Sequence, residues 1–144
     1  MDTNRYTNTD RSDIAICLHI ITAWRRIKTV IDDFAANQDL TMQQIMVLYQ
    51  LYDSDQILMG TLAKQLHCDA SNVTGLVDRL RSAGLITRHE LAEDRRAKQL
   101  AITDKGRALI EELIPLLPSG LDLSSLSAAR QLELLESLQR LTDQ

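Results

Sequence analysis

A pair of closely spaced short helices followed by a hairpin is the pattern that most restricts the fold of this chain. Apolar residues at helical spacing predict the helices Gly60–Leu66 and Ala70–Ala83, with only a three-residue turn between them. Two strand candidates, Ile86–Leu91 and Ala97–Ile102, flank the polar turn AEDRR, which predicts a β-hairpin. A helix-turn-helix that leads directly into a hairpin is a winged helix, and we expect this fold in the middle of the chain.

The two short helices share one apolar face in this interpretation. Asp69 precedes the second helix and is a candidate N-cap, and Gly84 suits the left-handed position that follows its end. The residues expected to pack between the helices are Leu62, Ala63, Leu66, Cys68, Val73, Leu76, Val77 and Leu80.

Two helices are predicted before the winged helix. Apolar residues at three- and four-residue steps predict a long first helix over residues 12–37, with Ser12 as its cap. Thr41 and Gln44 have the spacing of a capping box, so a second helix is expected to begin there and to end at Asp53-Ser-Asp55.

Two more helices are predicted after the hairpin. Thr103 is the candidate cap of the first of them, and Pro115 and Pro118 are expected to kink or end it. Ser127 can cap a final leucine-rich helix. The apolar face of that helix is Leu132, Leu135, Leu138 and Leu141, or Leu134, Leu138 and Leu141. The expected fold is therefore mainly α, with a small β-hairpin wing.

Charge is distributed unevenly along the 144 residues. The total is −4, but residues 59–110 carry nine Lys/Arg and six Asp/Glu, a balance of +3 between acidic ends. Local charge attracts phosphate groups, so the middle of the chain is the expected place for contacts with nucleic acid. The N-terminus is polar and the apolar runs are short, so we predict no signal peptide or membrane span and a cytoplasmic protein.

Cysteine and histidine spacing predicts neither a metal nor a cofactor. Cys17 and Cys68 are far apart in the sequence and match no metal motif or disulfide framework. His19, His67 and His89 fall in three separate predicted elements. The chain also lacks the motifs of a phosphate loop or a nucleophile elbow, so an enzyme is not expected.

The second helix of a helix-turn-helix lies in the major groove of DNA, with its N-terminal residues towards the base edges. Asn is suited to adenine, Ser and Thr to bases or phosphates, Arg to guanine or phosphate, and Gly permits a close approach. An ordinary exposed first turn is the alternative reading for any one of these residues. The candidate contacts of the helix pair are Thr61, Ser71, Asn72, Thr74, Gly75 and Arg79.

The predicted hairpin tip concentrates positive charge. Arg95 and Arg96 can enter the minor groove, where negative potential is high, and Lys98 adds a third cation. Asp94 is interpreted as the residue that orients an arginine through a charge-assisted hydrogen bond. A solvated turn, in which Asp and Arg are common, is the alternative.

Two linked segments resemble the MarR family of bacterial transcription regulators, and the resemblance extends over essentially the whole chain. The stretch LAKQLHCDASNVTGLVDRLRSAGLITR is similar to that family's helix-turn-helix, and DRRAKQLAITDKG is similar to its wing. The matching positions of the wing are Asp94, Arg96, Ala97, Leu100, Ile102, Thr103 and Gly106.

The resemblance implies a homodimer that binds a pseudo-palindromic operator in double-stranded DNA. Residues 12–37 and 104–144 would form the dimerisation helices, and residues 41–103 the winged helix-turn-helix lobe. Arg96 would be the minor-groove arginine, held by Asp94. The implied function is a sequence-specific transcription regulator, acting as a repressor, that a small phenolic or lipophilic effector releases from DNA.

An effector of this kind would bind between the dimerisation region and the DNA-binding lobe. The candidate lining residues are His19, Trp24, Met46 and Tyr49. The alternative is that Trp24, Met46 and Tyr49 belong to the core, and that His19 is a solvated or satisfied histidine.

Cys17 lies where one branch of the family has a cysteine that senses organic peroxides. That branch holds its thiolate with tyrosines, and the equivalent positions here are Ile31 and Met42. Without such a partner for a thiolate, a buried, inert cysteine is favoured over a redox-sensing regulator.

A winged-helix module for protein contacts, without DNA binding, is the main competing function. The sequence pI of about 5.3 favours it. The group Arg95, Arg96 and Lys98 favours the DNA-binding regulator, because an interaction module has no need for three clustered cations at its wing.

Overall fold

The computed structural model describes residues 11–66, 69–91 and 97–142. These residues form α-helices, antiparallel strands and two short 3-10 segments. The α-helices are α1 (Arg11–Asn37), α2 (Met42–Ser54), α3 (Met59–Gln65), α4 (Ala70–Ser82), α5 (Asp104–Leu113) and α6 (Ala128–Thr142). The strands are β1 (Gln56–Leu58), β2 (Ile86–Glu90) and β3 (Lys98–Ile102). The mainly helical winged-helix prediction is confirmed.

The wing strands belong to a sheet of order β1-β3-β2 in which all pairing is antiparallel. The predicted hairpin is confirmed, with Glu90 opposite Lys98 and Ile86 opposite Ile102. The third strand, β1, was not predicted. It pairs with the other edge of β3, Ile57 opposite Leu100, and both side chains are buried. The sheet therefore continues without a break into α3, which begins at the next residue.

Contacts divide the chain into two compact units. The second unit, Thr29–Leu116, contains α2 to α5, the sheet and the last part of α1, and it holds the hydrophobic core. The predicted interior of the helix pair is confirmed at Leu62, Val73, Val77 and Leu80, which are completely buried. Cys68, also predicted there, lies outside the described residues.

Among the described residues, the first unit consists of 11–28 and 117–142. Its helices expose most of their apolar side chains. Leu18 is 58% exposed and Leu132 57%. The other exposed apolar residues of this unit are Ile14, Ile16, Ile20, Ile21, Trp24, Leu134, Leu135, Leu138 and Leu141. Such a surface is far more apolar than a solvent-facing helix needs to be.

Helix ends follow the predicted caps in most cases. Thr41 and Gln44 form the expected capping box, and the Thr103 hydroxyl accepts from the Gly106 N–H at 3.1 Å. Gly84 has φ +72°, and the N–H of Leu85 returns to the carbonyl of Leu80, as in a Schellman ending.

One predicted cap is wrong, and two others stand at the expected position with a missing or a long side-chain hydrogen bond. Asp69 stands at the N-cap position of α4, but its side chain makes no capping hydrogen bond. Ser12 lies inside α1, which already includes Arg11. Ser127 precedes α6 as predicted, and its hydroxyl accepts from Arg130 at a long 3.5 Å.

The two prolines act as expected on the helix after the wing. The α-helix α5 ends at Leu113, and a 3-10 segment, Ile114–Gly120, contains both prolines. In the first unit Gly120 lies against α1, since a Cβ there would be 3.1 Å from backbone atoms of Arg26 and Ile27.

Candidate nucleic-acid interface

Helix α4 has two faces with different roles. Val73, Leu76, Val77 and Leu80 are buried at three- and four-residue spacing and fix the helix in the core. The opposite side exposes the predicted contacts Ser71, Asn72, Gly75 and Arg79. A helix held by one face leaves the other available to a partner.

The polar side chains on this exposed face are not used by the rest of the described chain. The side chain of Arg79 makes no hydrogen bond or ion pair with any described residue, and the same is true of the side chains of Ser71 and Asn72. Their donors and acceptors therefore remain available for a ligand.

Gly75 has open space around it. A Cβ built at this position meets no heavy atom within 4 Å. Packing inside the chain therefore does not require glycine here, although glycine in a helix interior costs about 0.5–1 kcal/mol relative to alanine. This is consistent with a surface that another molecule approaches closely.

A groove of about 590 Å³ connects α3, α4 and the base of the wing. It brings together three predicted contacts, Thr61, Thr74 and Lys98, and it also includes Lys64. Lys64 was not predicted as a contact. It is exposed and has no ion-pair partner among the described residues. The sequence feature that could have indicated it is the position of a lysine near the end of a short helix.

Lys98 is engaged with Glu90 across the β2–β3 pair. The hydrogen bond and the charge of Lys98 hold the pKa of the Glu90 carboxyl below its ordinary value, and Arg88 adds a smaller effect in the same direction. Lys98 was predicted as a DNA contact. In this structure its ammonium forms an ion pair with the Glu90 carboxylate at the root of the wing.

Asp78 adds a second acid to this surface. Its carboxylate is 3.4 Å from the Arg88 guanidinium on β2 and 4.0 Å from that of Arg81 on α4. The pair with Arg88 joins α4 to the sheet. Both carboxylates, Asp78 and Glu90, thus lower the net positive charge of the interface.

The predicted wing-tip residues Asp94, Arg95 and Arg96 lie outside the described residues, and their roles stay predictions. The strands on both sides of the tip are described, so the position of its two ends is fixed at Leu91 and Ala97. The N–H of Leu91 donates to the carbonyl of Ala97 at 3.3 Å.

The four predicted effector contacts divide between the two units. His19 and Trp24 belong to the first unit and are exposed, Trp24 to 43%. Tyr49, in the second unit, is 42% exposed. Met46 lines a cavity of about 320 Å³ between α2, α3 and α4, together with Met42, Gln50 and Leu76.

Cys17 is exposed, so the expectation of a buried thiol is wrong for the single chain. Leu18 and Ile21 beside it are also exposed, because the first unit leaves this part of α1 uncovered.

The described residues contain neither a membrane-spanning helix nor a cluster of metal ligands. None of the helices in residues 11–66, 69–91 and 97–142 combines the length and hydropathy needed to cross a bilayer. Over the same residues, no three His, Cys, Asp or Glu side chains come together in a way that would hold a metal ion.

The helix pair, the three-stranded wing sheet and the exposed polar face of α4 define a winged helix-turn-helix protein of the DNA-binding type. Residues 40–98 match the sequence model of the MarR family of transcription regulators.

Curated relatives are regulators of the same type. The HTH-type transcriptional repressor YetL of Bacillus subtilis is 28% identical over 112 residues, which cover 76% of this chain and 67% of YetL. For two other regulators of that organism the matched segment spans only about half of the relative, 48% and 47%.

Solved structures have the same fold. The YusO protein of Bacillus subtilis aligns with a TM-score of 0.65 at 26% identity, over 92% of this chain and 94% of YusO. NadR, crystallised in complex with 4-hydroxyphenylacetate, aligns with a TM-score of 0.72 at 24% identity, over 98% of this chain and 97% of NadR.

Proposed function

We propose that this chain is a cytoplasmic, homodimeric transcription repressor that binds a pseudo-palindromic DNA operator and is released by a small-molecule effector. The observation that carries the proposal is the exposed face of α4, on which the side chains of Ser71, Asn72 and Arg79 make no hydrogen bond or ion pair with the described residues. The naming of YetL as a repressor supports the direction of regulation.

In this proposal α4 is the recognition helix and lies in the major groove. Asn72 pairs with adenine through its amide, and Arg79 contacts a guanine or a phosphate further along the groove. Gly75 lets the backbone approach the DNA. Thr61, Thr74 and Lys64 contact phosphates from the groove at the base of the wing.

The wing is assigned to the minor groove. Arg95 and Arg96 supply the charge at the tip, and Asp94 holds Arg96 in place. Lys98 contributes at the root of the wing, where a phosphate would compete with Glu90 for its ammonium. The negative potential of the narrow minor groove attracts arginine side chains, and the wing tip contains two of them.

Dimerisation is assigned to residues 12–37 and 104–144, with residues 41–103 as the DNA-binding lobe. The exposed leucines and isoleucines of α1 and α6 support this assignment, because in a single chain these two apolar stripes would remain in contact with water. In a dimer of interlocking helices they would be buried like a core.

The effector is assigned to the class of small phenolic or lipophilic molecules. The complex of NadR with 4-hydroxyphenylacetate supports this class. His19, Trp24, Met46 and Tyr49 are the proposed contacts. Release follows when the effector binds the DNA-incompetent arrangement more tightly than the competent one.

The first test is fluorescence anisotropy with DNA from upstream of the gene itself, over a salt series. We expect tight, sequence-selective binding with a steep salt dependence. Asn72→Ala should weaken binding to the operator by about 1–3 kcal/mol and relax the preference at one base position. Gln38→Ala, an exposed amide in the turn after α1, is the matched control and should bind like the unmodified protein.

Two outcomes would contradict the proposal. If no DNA fragment from a random-sequence selection is bound better than the pool, DNA recognition by this chain is ruled out. If operator binding is selective but Asn72→Ala changes neither affinity nor base preference, α4 is not the reading element.

Redox release through Cys17 is a second candidate, favoured by its exposure in the single chain. An organic hydroperoxide should then lower the operator affinity of the unmodified protein, whereas Cys17→Ser should be resistant. Equal loss of affinity in both proteins would exclude Cys17 as the sensor.

A further inference from the structure

The segment Thr103–Gly106, TDKG, holds the C-terminal end of α4. The Thr103 hydroxyl donates to the carbonyl of Gly84 at 2.8 Å, and the Thr103 N–H donates to the carbonyl of Leu85 at 3.1 Å. The Lys105 ammonium donates to the carbonyl of Ala83 at 2.9 Å. Three consecutive carbonyls at the end of α4 are therefore satisfied by the start of α5.

A steric stop adds to these hydrogen bonds. A Cβ at Gly106 would lie 2.2 Å from the carbonyl oxygen of Leu85 and 2.9 Å from Ile102. Real Cβ atoms do not approach a backbone oxygen this closely, so only glycine lets the first turn of α5 lie directly against the turn after α4.

The charge of Lys105 suits the position that it occupies. The carbonyls at a helix C-terminus carry partial negative charge, and a cation that donates to them is stabilising. Here the cation comes from a different helix, so the same contact that satisfies the end of α4 also links α4 to α5.

This link bypasses the wing. Along the chain, α4 and α5 are separated by β2, the wing tip and β3, whereas in space the end of α4 touches the start of α5 directly. The direction of α4 therefore does not depend on the conformation of the wing tip.

We propose that Lys105 and Thr103 are positioning residues for DNA binding: they fix α4 against α5 and thereby set the half-site spacing that the dimer accepts. This inference rests on the proposed function. In a dimer held by its end helices, α5 leads from the DNA-binding lobe into the rest of the dimerisation region, so an α4 that is free to turn on α5 would fit several spacings.

The test compares operators whose half-sites are moved apart or together by one or two base pairs. The measured quantity is the ratio of affinities for the native and the altered spacing. Loss of overall stability or of one positive charge lowers both affinities and leaves this ratio unchanged. Lys64→Met is the matched control: it also removes a lysine charge at the interface, and we expect lower affinities with the ratio intact.

In Lys105→Met the ratio should fall about threefold to tenfold, because the altered spacings are tolerated better once a charged hydrogen bond is lost. Lys105→Arg, which can still donate to the carbonyl of Ala83, should restore much of the ratio. A ratio equal to that of the unmodified protein in Lys105→Met would overturn the inference.

Amide hydrogen exchange in the free protein separates the two proposals. The amides of Ala83, Gly84 and Leu85 should exchange several-fold faster in Lys105→Met than in Lys64→Met. If the exchange rates of these amides are unchanged, Lys105 does not link α4 to α5, and the inference is overturned whether or not the protein binds DNA. Faster exchange in a protein that selects no DNA would instead leave the link in place and refute the proposed function.

Discussion

The guanidinium of Arg88 on β2 lies 3.4 Å from the carboxylate of Asp78 on α4, so an ion pair joins this helix to the outer strand of the wing. The same carboxylate is 4.0 Å from Arg81. On a surface proposed to bind DNA, the negative charge of Asp78 would weaken affinity for phosphates, whereas its ion pair with Arg88 stabilises the packing of α4 on the sheet.

Replacement of Asp78 should therefore separate stability from affinity. In Asp78→Asn we expect the free energy of unfolding to fall by about 0.5–1 kcal/mol, since the pair is partly exposed. Affinity for random DNA should rise, with a salt slope steeper by about one, because Arg88 and Arg81 become available to phosphates. Urea unfolding and anisotropy measure the two effects. Asp53→Asn, the same change at the end of α2, is the control.

Glu90 gives a prediction for pH. Lys98 holds the pKa of this carboxyl below its ordinary value of 4.5, so the folded state binds the proton less readily than the unfolded state. The stabilisation from the pair is complete above that ordinary value and is lost as the pH falls through the lowered pKa. NMR titration of the Glu90 carboxyl should give a midpoint below 4.5, and Lys98→Met should raise it. An unchanged midpoint in that variant would show that Lys98 is not the cause.

Two glycines should respond in opposite ways to the same substitution. Gly75→Ala should stabilise the chain by about 0.5–1 kcal/mol, because its Cβ enters open space in a helix interior. It should weaken operator binding if DNA approaches this backbone closely. Gly106→Ala should destabilise the chain by about 1–3 kcal/mol, because its Cβ meets the carbonyl of Leu85. Thermal unfolding of the pair is the measurement, and stabilisation by Gly106→Ala would contradict the close packing.

The exposed leucines of α6 lead to a prediction about association. Leu135, which is 52% exposed, should be buried in the dimer. Leu135→Glu should shift the protein to a monomer at micromolar concentration, because a charge at an apolar interface is costly. Ala129→Glu places the same charge on the same helix, away from its leucines, and should remain dimeric. Sedimentation velocity tests both, and a dimeric Leu135→Glu would remove α6 from the proposed interface.

Much of the fold was predictable from local signals. The capping box at Thr41, the cap at Thr103 and the left-handed Gly84 each depend on residues close in sequence, and all three are confirmed. Strand β1 was missed because three residues are too short for an alternating pattern, and its pairing with β3 joins segments more than forty residues apart.

The site was predictable in outline but not in its electrostatics. The exposed face of α4 follows from helical spacing around Val73 and Val77. The engagement of Lys98 by Glu90 and of Arg88 by Asp78 depends on strand register and on the crossing of α4 and β2, which are tertiary features. Lys64 was missed for the same reason, since only the packed structure places it in a groove with Thr74 and Lys98.

The two faces of α4 also have a consequence for the evolution of specificity. The side chains of Ser71, Asn72 and Arg79 are exposed and make no hydrogen bond or ion pair with the described residues, so we expect a change of side chain there to leave the packing of Val73, Val77 and Leu80 intact. A duplicated gene could thus acquire substitutions on the exposed face of α4, and with them a new DNA target, without prior stabilising mutations elsewhere. For the same reason, a randomised library at these three positions should yield mostly folded proteins that differ in the promoter they recognise.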